Sequence, residues 1–145
     1  ESSRILATKG FNELNKFLQK FLLILLIIIC IVVVIVNSNF VLISNLIFNV
    51  DLSNYQLEIF IYSLAVIFNS INQPFKYFAN AMENTKTKFI AELIAVLVVS
   101  ISGYTLIKNY ELIGALIGMS IMKFSILIVY FVVYSLKRLE NIERS

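Results

Sequence analysis

The chain has 145 residues, 59% of them hydrophobic and 14% charged, with a formal net charge of +3 and a mean hydropathy of +0.88. Soluble domains carry about 25% charged residues, so a water-soluble bundle is a poor description, and the positive excess reads as basic loops held on one side of a membrane rather than a nucleic-acid surface. No histidine is present, which removes histidine proton relays and histidine metal sites, and the lone Cys30 lacks a disulfide partner.

Residues 1–20 form an amphipathic lead-in carrying Arg4, Lys9, Lys16 and Lys20. The chain begins at Glu1 without a methionine or a tripartite signal sequence, so we expect a fragment of a longer protein. Residues 21–50 hold no charge, and residues 21–36 are an unbroken apolar run. A spanning helix needs about 20 mostly apolar residues, and residues 17–36 supply the first, with Cys30 inside it as a small packing residue. Asn37, Ser38 and Asn39 break the run, and residues 40–50 resume it over a length too short to cross. An outer-interface helix or re-entrant piece is expected there. Asp51, Leu52, Ser53 and Asn54 follow, with side-chain oxygens able to cap free amides at a helix start.

The second long helix can run from Tyr55 to about Met82, which at 1.5 Å per residue is roughly 42 Å against a hydrocarbon core of about 30 Å. It must tilt, bend or project, and Pro74, the only proline, removes one backbone hydrogen bond within it. After the turn Glu83, Asn84, Thr85, with Thr85 or Thr87 as a cap, a third span covers residues 89–107 and a fourth residues 112–136. The short connection 107–111 predicts a tight hairpin. Gly114 and Gly118, at GxxxG spacing, would let another backbone approach closely.

The expected fold is therefore all-α, a polytopic membrane protein fragment with four transmembrane helices over about 17–36, 55–75, 89–107 and 112–136. Ten basic residues fall on one side: Arg4, Lys9, Lys16 and Lys20; Lys76, Lys86 and Lys88; Lys137, Arg138 and Arg144. Lys108 stands against them, so both termini are expected in the cytoplasm.

Two features concentrate the chemistry. Steps of three and four along the second helix meet Tyr55, Glu58, Tyr62, Ala65, Asn69, Asn72, Lys76, Ala79 with Asn80, and Glu83, all on one face. Such a stripe is costly against lipid, so it faces either a water-filled cavity or a polar joint between helices. Lys123 is the sharper residue, near the middle of the fourth span with Ser120, Tyr130 and Tyr134 on its face. A central lysine costs roughly 2.5 to 3.5 kcal/mol on translocon scales, which leaves a solute-facing cation, an internal salt bridge or a snorkelling side chain. Glu92, one turn after Lys88, reads first as a local charge pair and second as a coupling carboxylate. No HExxH, phosphate-binding loop, CxxC or serine with a histidine partner occurs, so neither catalysis nor a cofactor is expected.

In order and spacing the segments resemble the C-terminal part of a polysaccharide-type flippase (O-antigen, capsule or teichuronic acid-like) of the multidrug/oligosaccharidyl-lipid/polysaccharide exporter superfamily. The resemblance covers essentially the whole chain and rests on residues 40–49 (FVLISNLIFN), 79–88 (ANAMENTKTK) and 110–118 (YELIGALIG). It implies a parent of about twelve spans in two bundles that rock about a central cavity, in the cytoplasmic membrane, with these as the last four. Its cargo would be an isoprenoid-pyrophosphate-linked glycan. Lys123 and Lys76 would balance the pyrophosphate, while Asn69, Asn72, Gln73 and Tyr130 would offer hydrogen bonds to sugar. The alternatives are a multidrug or cation exporter of the same superfamily, in which Glu58 and Glu92 matter more, and a structural scaffold subunit with the stripe buried against partners. The partners implied are the bilayer, the missing N-terminal half of the transporter and the glycan lipid, with no nucleic acid.

Overall fold

A computed structural model describes residues 2–81 and 85–143. It contains four α-helices, α1 (Ser2–Ser38), α2 (Phe40–Phe48), α3 (Gln56–Ala81) and α4 (Thr85–Glu143), with a 3-10 turn at Ser53–Tyr55 before α3. No strand occurs among the described residues.

In α1, Leu14 and Leu18 are buried and Leu22 lines a hollow beside Pro74, so positions four apart form the stripe that faces α3. The rest of the apolar run points outward: Leu23, Ile24, Ile27, Ile28, Ile31, Val32, Val34 and Ile35 are each about half exposed. At 1.5–3 kcal/mol for full burial of such a side chain, the unburied part of these eight costs roughly 6–12 kcal/mol in water. That equals the whole stability of a typical domain, about 5–15 kcal/mol, so the surface belongs in an apolar medium. Cys30, expected as a packing residue, is exposed on this surface, because the stripe facing α3 passes elsewhere on the helix.

The expected break after Val36 lies slightly later. α1 continues through Asn37 to Ser38 because the Asn37 amide donates to the Val33 carbonyl at 2.9 Å and to Ser63 Oγ of α3, also at 2.9 Å. α2 then covers nine residues, anchored by buried Phe40 and Ser44 one turn apart. It ends at Asn49, which takes a left-handed conformation (φ 55°) and donates its N–H to the Asn45 carbonyl.

α3 persists through buried Pro74 and packs on both α1 and α4. It runs antiparallel to α1, with Asn37 against Ser63 at one end and Leu22 beside Pro74 at the other. The tight hairpin expected over residues 107–111 is made at a single residue. Helical structure runs from Thr85 to Glu143, and the one residue inside it with non-helical dihedrals is Glu111 (φ 48°, ψ −120°). There the chain doubles back, since a Cβ on Gly114 would overlap the Leu106 carbonyl, eight residues earlier in sequence. Ala91 and Ala95 of the first arm join Ile126 and Tyr130 of the second in one buried cluster with Ala79 of α3. Small residues at these contacts let the helices approach closely, which is how packing holds helices together where the surroundings are as apolar as the side chains.

Among the described residues two segments, Glu13–Ser38 and Lys86–Lys137, are long and apolar enough to cross a membrane. The second would extend about 78 Å if straight, and the fold at Glu111 halves it into two arms matched to one bilayer thickness. α3 is of similar length to the first, but its polar stripe lowers its hydropathy.

Candidate functional site

α3 lies alongside the second arm of α4 and runs parallel to it: Phe68 meets Phe124 with centroids 5.2 Å apart, and Phe75 meets Tyr134 at 5.6 Å. Between those ring pairs sits Asn72, 1% exposed, whose Nδ2 donates to the backbone carbonyl of Lys123 at 2.9 Å. Its Oδ1 is buried without a partner. Tyr130, 2% exposed, also holds a buried hydroxyl without a partner, and Glu92 of the first arm lies within electrostatic range of it.

The residues expected on the face of Lys123 therefore have separate roles. Ser120 Oγ donates to the Leu116 carbonyl at 3.0 Å and, more weakly at 3.4 Å, to the Ile61 carbonyl of α3. The Tyr134 hydroxyl donates to Asn15 Oδ1 of α1, and its ring packs edge-on against both Phe75 and Phe78. These groups lock helices together. Lys123 itself is half-buried, and its ammonium has no hydrogen-bond or ion-pair partner among the described residues. The internal salt bridge, one of the alternatives for this residue, does not occur among the described residues, where the stripe of α3 presents an amide to the Lys123 backbone.

Asn69, Gln73 and Lys76 are half-buried, so the stripe divides into a sealed line, Ala65, Asn72 and Ala79, and flanking positions that this chain leaves partly uncovered. Asn72 and Tyr130 belong to the joint between helices. The two cations are not brought together. Lys76 follows Phe75 at the level of Tyr134, whereas Lys123 sits beside the Phe68–Phe124 contact, an offset of about 12–16 Å at helical rise.

Glu58 is half-buried with Oε2 sealed and unpartnered. Glu92 and Lys88 are both exposed and do not form the expected pair, since the first arm leaves both side chains to the surroundings. Glu83, the last position of the stripe, lies outside the described residues. Of the glycine pair, Gly114 carries the close approach and Gly118 does not: a Cβ at Gly118 meets nothing within 4 Å. No group of histidine, cysteine, aspartate and glutamate side chains able to hold a metal occurs among the described residues.

A larger hollow at the far end of α1 was not expected. It measures about 720 Å³ and is lined by amides from three elements, among them Asn37, Asn39, Asn45 and Gln56. The only signal for it in the sequence is the cluster of asparagines around residues 37–45, which reads equally well as a helix break.

Against known families, the sequence model described as Rft protein (Rft-1) matches residues 4–145. The chain belongs to the Rft family. The family is linked to lipid-linked oligosaccharide flippase-like proteins, and with the two long apolar segments it points to a membrane protein. No curated protein and no solved structure matches the Rft-family chain.

Proposed function

We propose that this Rft-family chain forms the closing four-span portion of a flippase that moves isoprenoid-pyrophosphate-linked glycan across the cytoplasmic membrane by alternating access. α1, α3 and the two arms of α4 are the spans, and both termini lie in the cytoplasm, in line with the basic residues at one end of the helices. The remaining spans of the same transporter supply the opposite wall, and neither enzymatic chemistry nor a cofactor is involved.

The observation that carries this reading is the ammonium of Lys123, held half-buried in an apolar bundle and matched by no acid among the described residues. An unpaired cation at that depth is costly unless a ligand or water neutralises it, and a diphosphate headgroup is the complementary charge. Lys76, about 12–16 Å further along the same seam, is too far to share one diphosphate with Lys123, so the two act as successive stations. Asn69 and Gln73, half-buried beside the seam, offer hydrogen bonds to the sugars.

In cells, Lys123→Ala should cut surface glycan while leaving the amount of the protein unchanged. Full export with normal abundance would remove the cation from the mechanism. A second reading, a scaffold subunit, draws on the burial of Asn72 and Tyr130 in the helix joint, and it has no use for the unpaired ammonium.

A further inference from the structure

The hollow between the end of α1, α2 and the start of α3 lies apart from the Lys123 seam and has its own composition. Its polar lining is neutral: Asn37, Asn39, Asn45 and Gln56 are joined by Phe40 and the aliphatic Leu46, and no charged side chain among the described residues lines it. At about 720 Å³, it lies within the roughly 300–1,000 Å³ of small-molecule sites.

The amides are not all committed to the fold. Asn37 donates its Nδ2 to the Val33 carbonyl and to Ser63 Oγ, and Asn39 donates its Nδ2 to the Ile35 carbonyl at 3.0 Å. Their Oδ1 atoms remain acceptors, held in place by those bonds. The Asn45 and Gln56 amides are exposed and make no side-chain hydrogen bond among the described residues, so each offers a donor pair and an acceptor. Fixed acceptors at the end of α1 and in the turn before α2, with free amides from α2 and α3 lining the same hollow, suit adjacent hydroxyls, each of which both donates and accepts. Leu46, 79% exposed, supplies an apolar surface for the C–H face of a ring.

We infer that this hollow binds the neutral sugar portion of a glycan, at a site distinct from the cationic seam that would take the phosphates. The inference rests on the flippase reading for its ligand, and it names a second station on the same path. A diphosphate meets no counter-charge among the described residues here, and a purely apolar lipid would leave the Asn45 and Gln56 amides and the Asn37 and Asn39 Oδ1 acceptors unmatched.

The test uses the full-length protein in liposomes, with Cys30→Ala and Asn45→Cys, labelled by a membrane-impermeant maleimide. Two probes are compared: an isoprenyl pyrophosphate bearing an oligosaccharide, and the same isoprenyl pyrophosphate without sugar. With the glycan-bearing lipid at about ten times its Kd, labelling should slow about tenfold, while the sugar-free lipid leaves the rate unchanged. Adding Asn39→Ala and Gln56→Ala should abolish that protection. Equal rates with both probes, equal protection by both, or protection that survives the two substitutions overturns the site. Flipping by the otherwise wild-type protein is measured in parallel. Flipping without protection sinks this inference alone, whereas protection without flipping upholds the sugar site and sinks the transport reading.

Discussion

Gly114 and Gly118 share one sequence motif and lie in different surroundings, so the same substitution at each should have opposite signs. At Gly114 an added Cβ would overlap the Leu106 carbonyl and sit 3.0 Å from the Ile107 nitrogen. Both are backbone atoms, which cannot swing aside as a flexible side chain would, so the two arms of α4 must separate. Overpacking costs about 1–3 kcal/mol, and the upper end applies to a rigid neighbour. Alanine recovers about 0.8–1.0 kcal/mol through helix propensity, leaving Gly114→Ala about 1–2 kcal/mol less stable. At Gly118 nothing lies within 4 Å, so only the propensity gain remains and Gly118→Ala should be about 1 kcal/mol more stable. For a chain of this size about 2–4 °C accompanies each kcal/mol, which thermal unfolding in nanodiscs, followed by far-UV circular dichroism, resolves easily. A Gly114→Ala protein with the wild-type Tm, or one more stable than Gly118→Ala, would refute the close approach at the hairpin.

Three further outcomes follow from local geometry. Glu111 holds φ 48° without being a glycine, a strain of about 1–3 kcal/mol, so Glu111→Gly should raise the Tm, and a lower Tm would show that the turn does not exist as described. The Asp51 carboxylate accepts the Ser53 backbone N–H at 2.9 Å, and that bond first, then the Ser53 side chain, holds its pKa below the ordinary 3.8. A depressed carboxylate stabilises the turn above its unfolded pKa and loses that effect as pH falls through the folded value, so protection of the Ser53 amide, taken relative to its intrinsic exchange rate at each pH, should fall only below about pH 3.8. Asp51→Asn should remove the pH dependence, and an unchanged profile in that variant would assign it elsewhere. A cysteine at Asn69 should react with a water-soluble maleimide while one at Asn72 should not, and the reverse pattern would exchange the sealed and open sides of α3.

The long helices were legible because apolar runs and period-3.6 spacing are properties of single segments. Residues 40–50 announced a short helix by length alone, and α3 was expected to run to about Met82, which lies just outside the described residues; its described part stops at Ala81. The tight hairpin over residues 107–111 was legible from the shortness of the connection, and the chain does double back at Glu111. What the sequence did not show is that the backbone stays helical on either side of that single inverted residue, with Gly114 three positions later at the close approach. The polar stripe was visible on α3, but periodicity names a face without naming what meets it. Asn72 is sealed because the Lys123 carbonyl lies opposite, a contact across 51 positions that no local pattern carries. Asn37 looked like a breaker for the same reason: its partners are Val33 on its own helix and Ser63 on another. The amide hollow, assembled from three elements, has no one-dimensional signature.

The proposed role of the Lys123 ammonium, unpaired among the described residues, is most directly tested by flipping of a pyrophosphate-linked oligosaccharide in liposomes containing the full-length protein, comparing wild type, Lys123→Arg and Lys123→Gln. A charged hydrogen bond is worth about 1.5–3 kcal/mol, so the glutamine variant should be about ten- to a hundred-fold slower while arginine keeps most of the rate. A glutamine variant as fast as wild type would contradict the account.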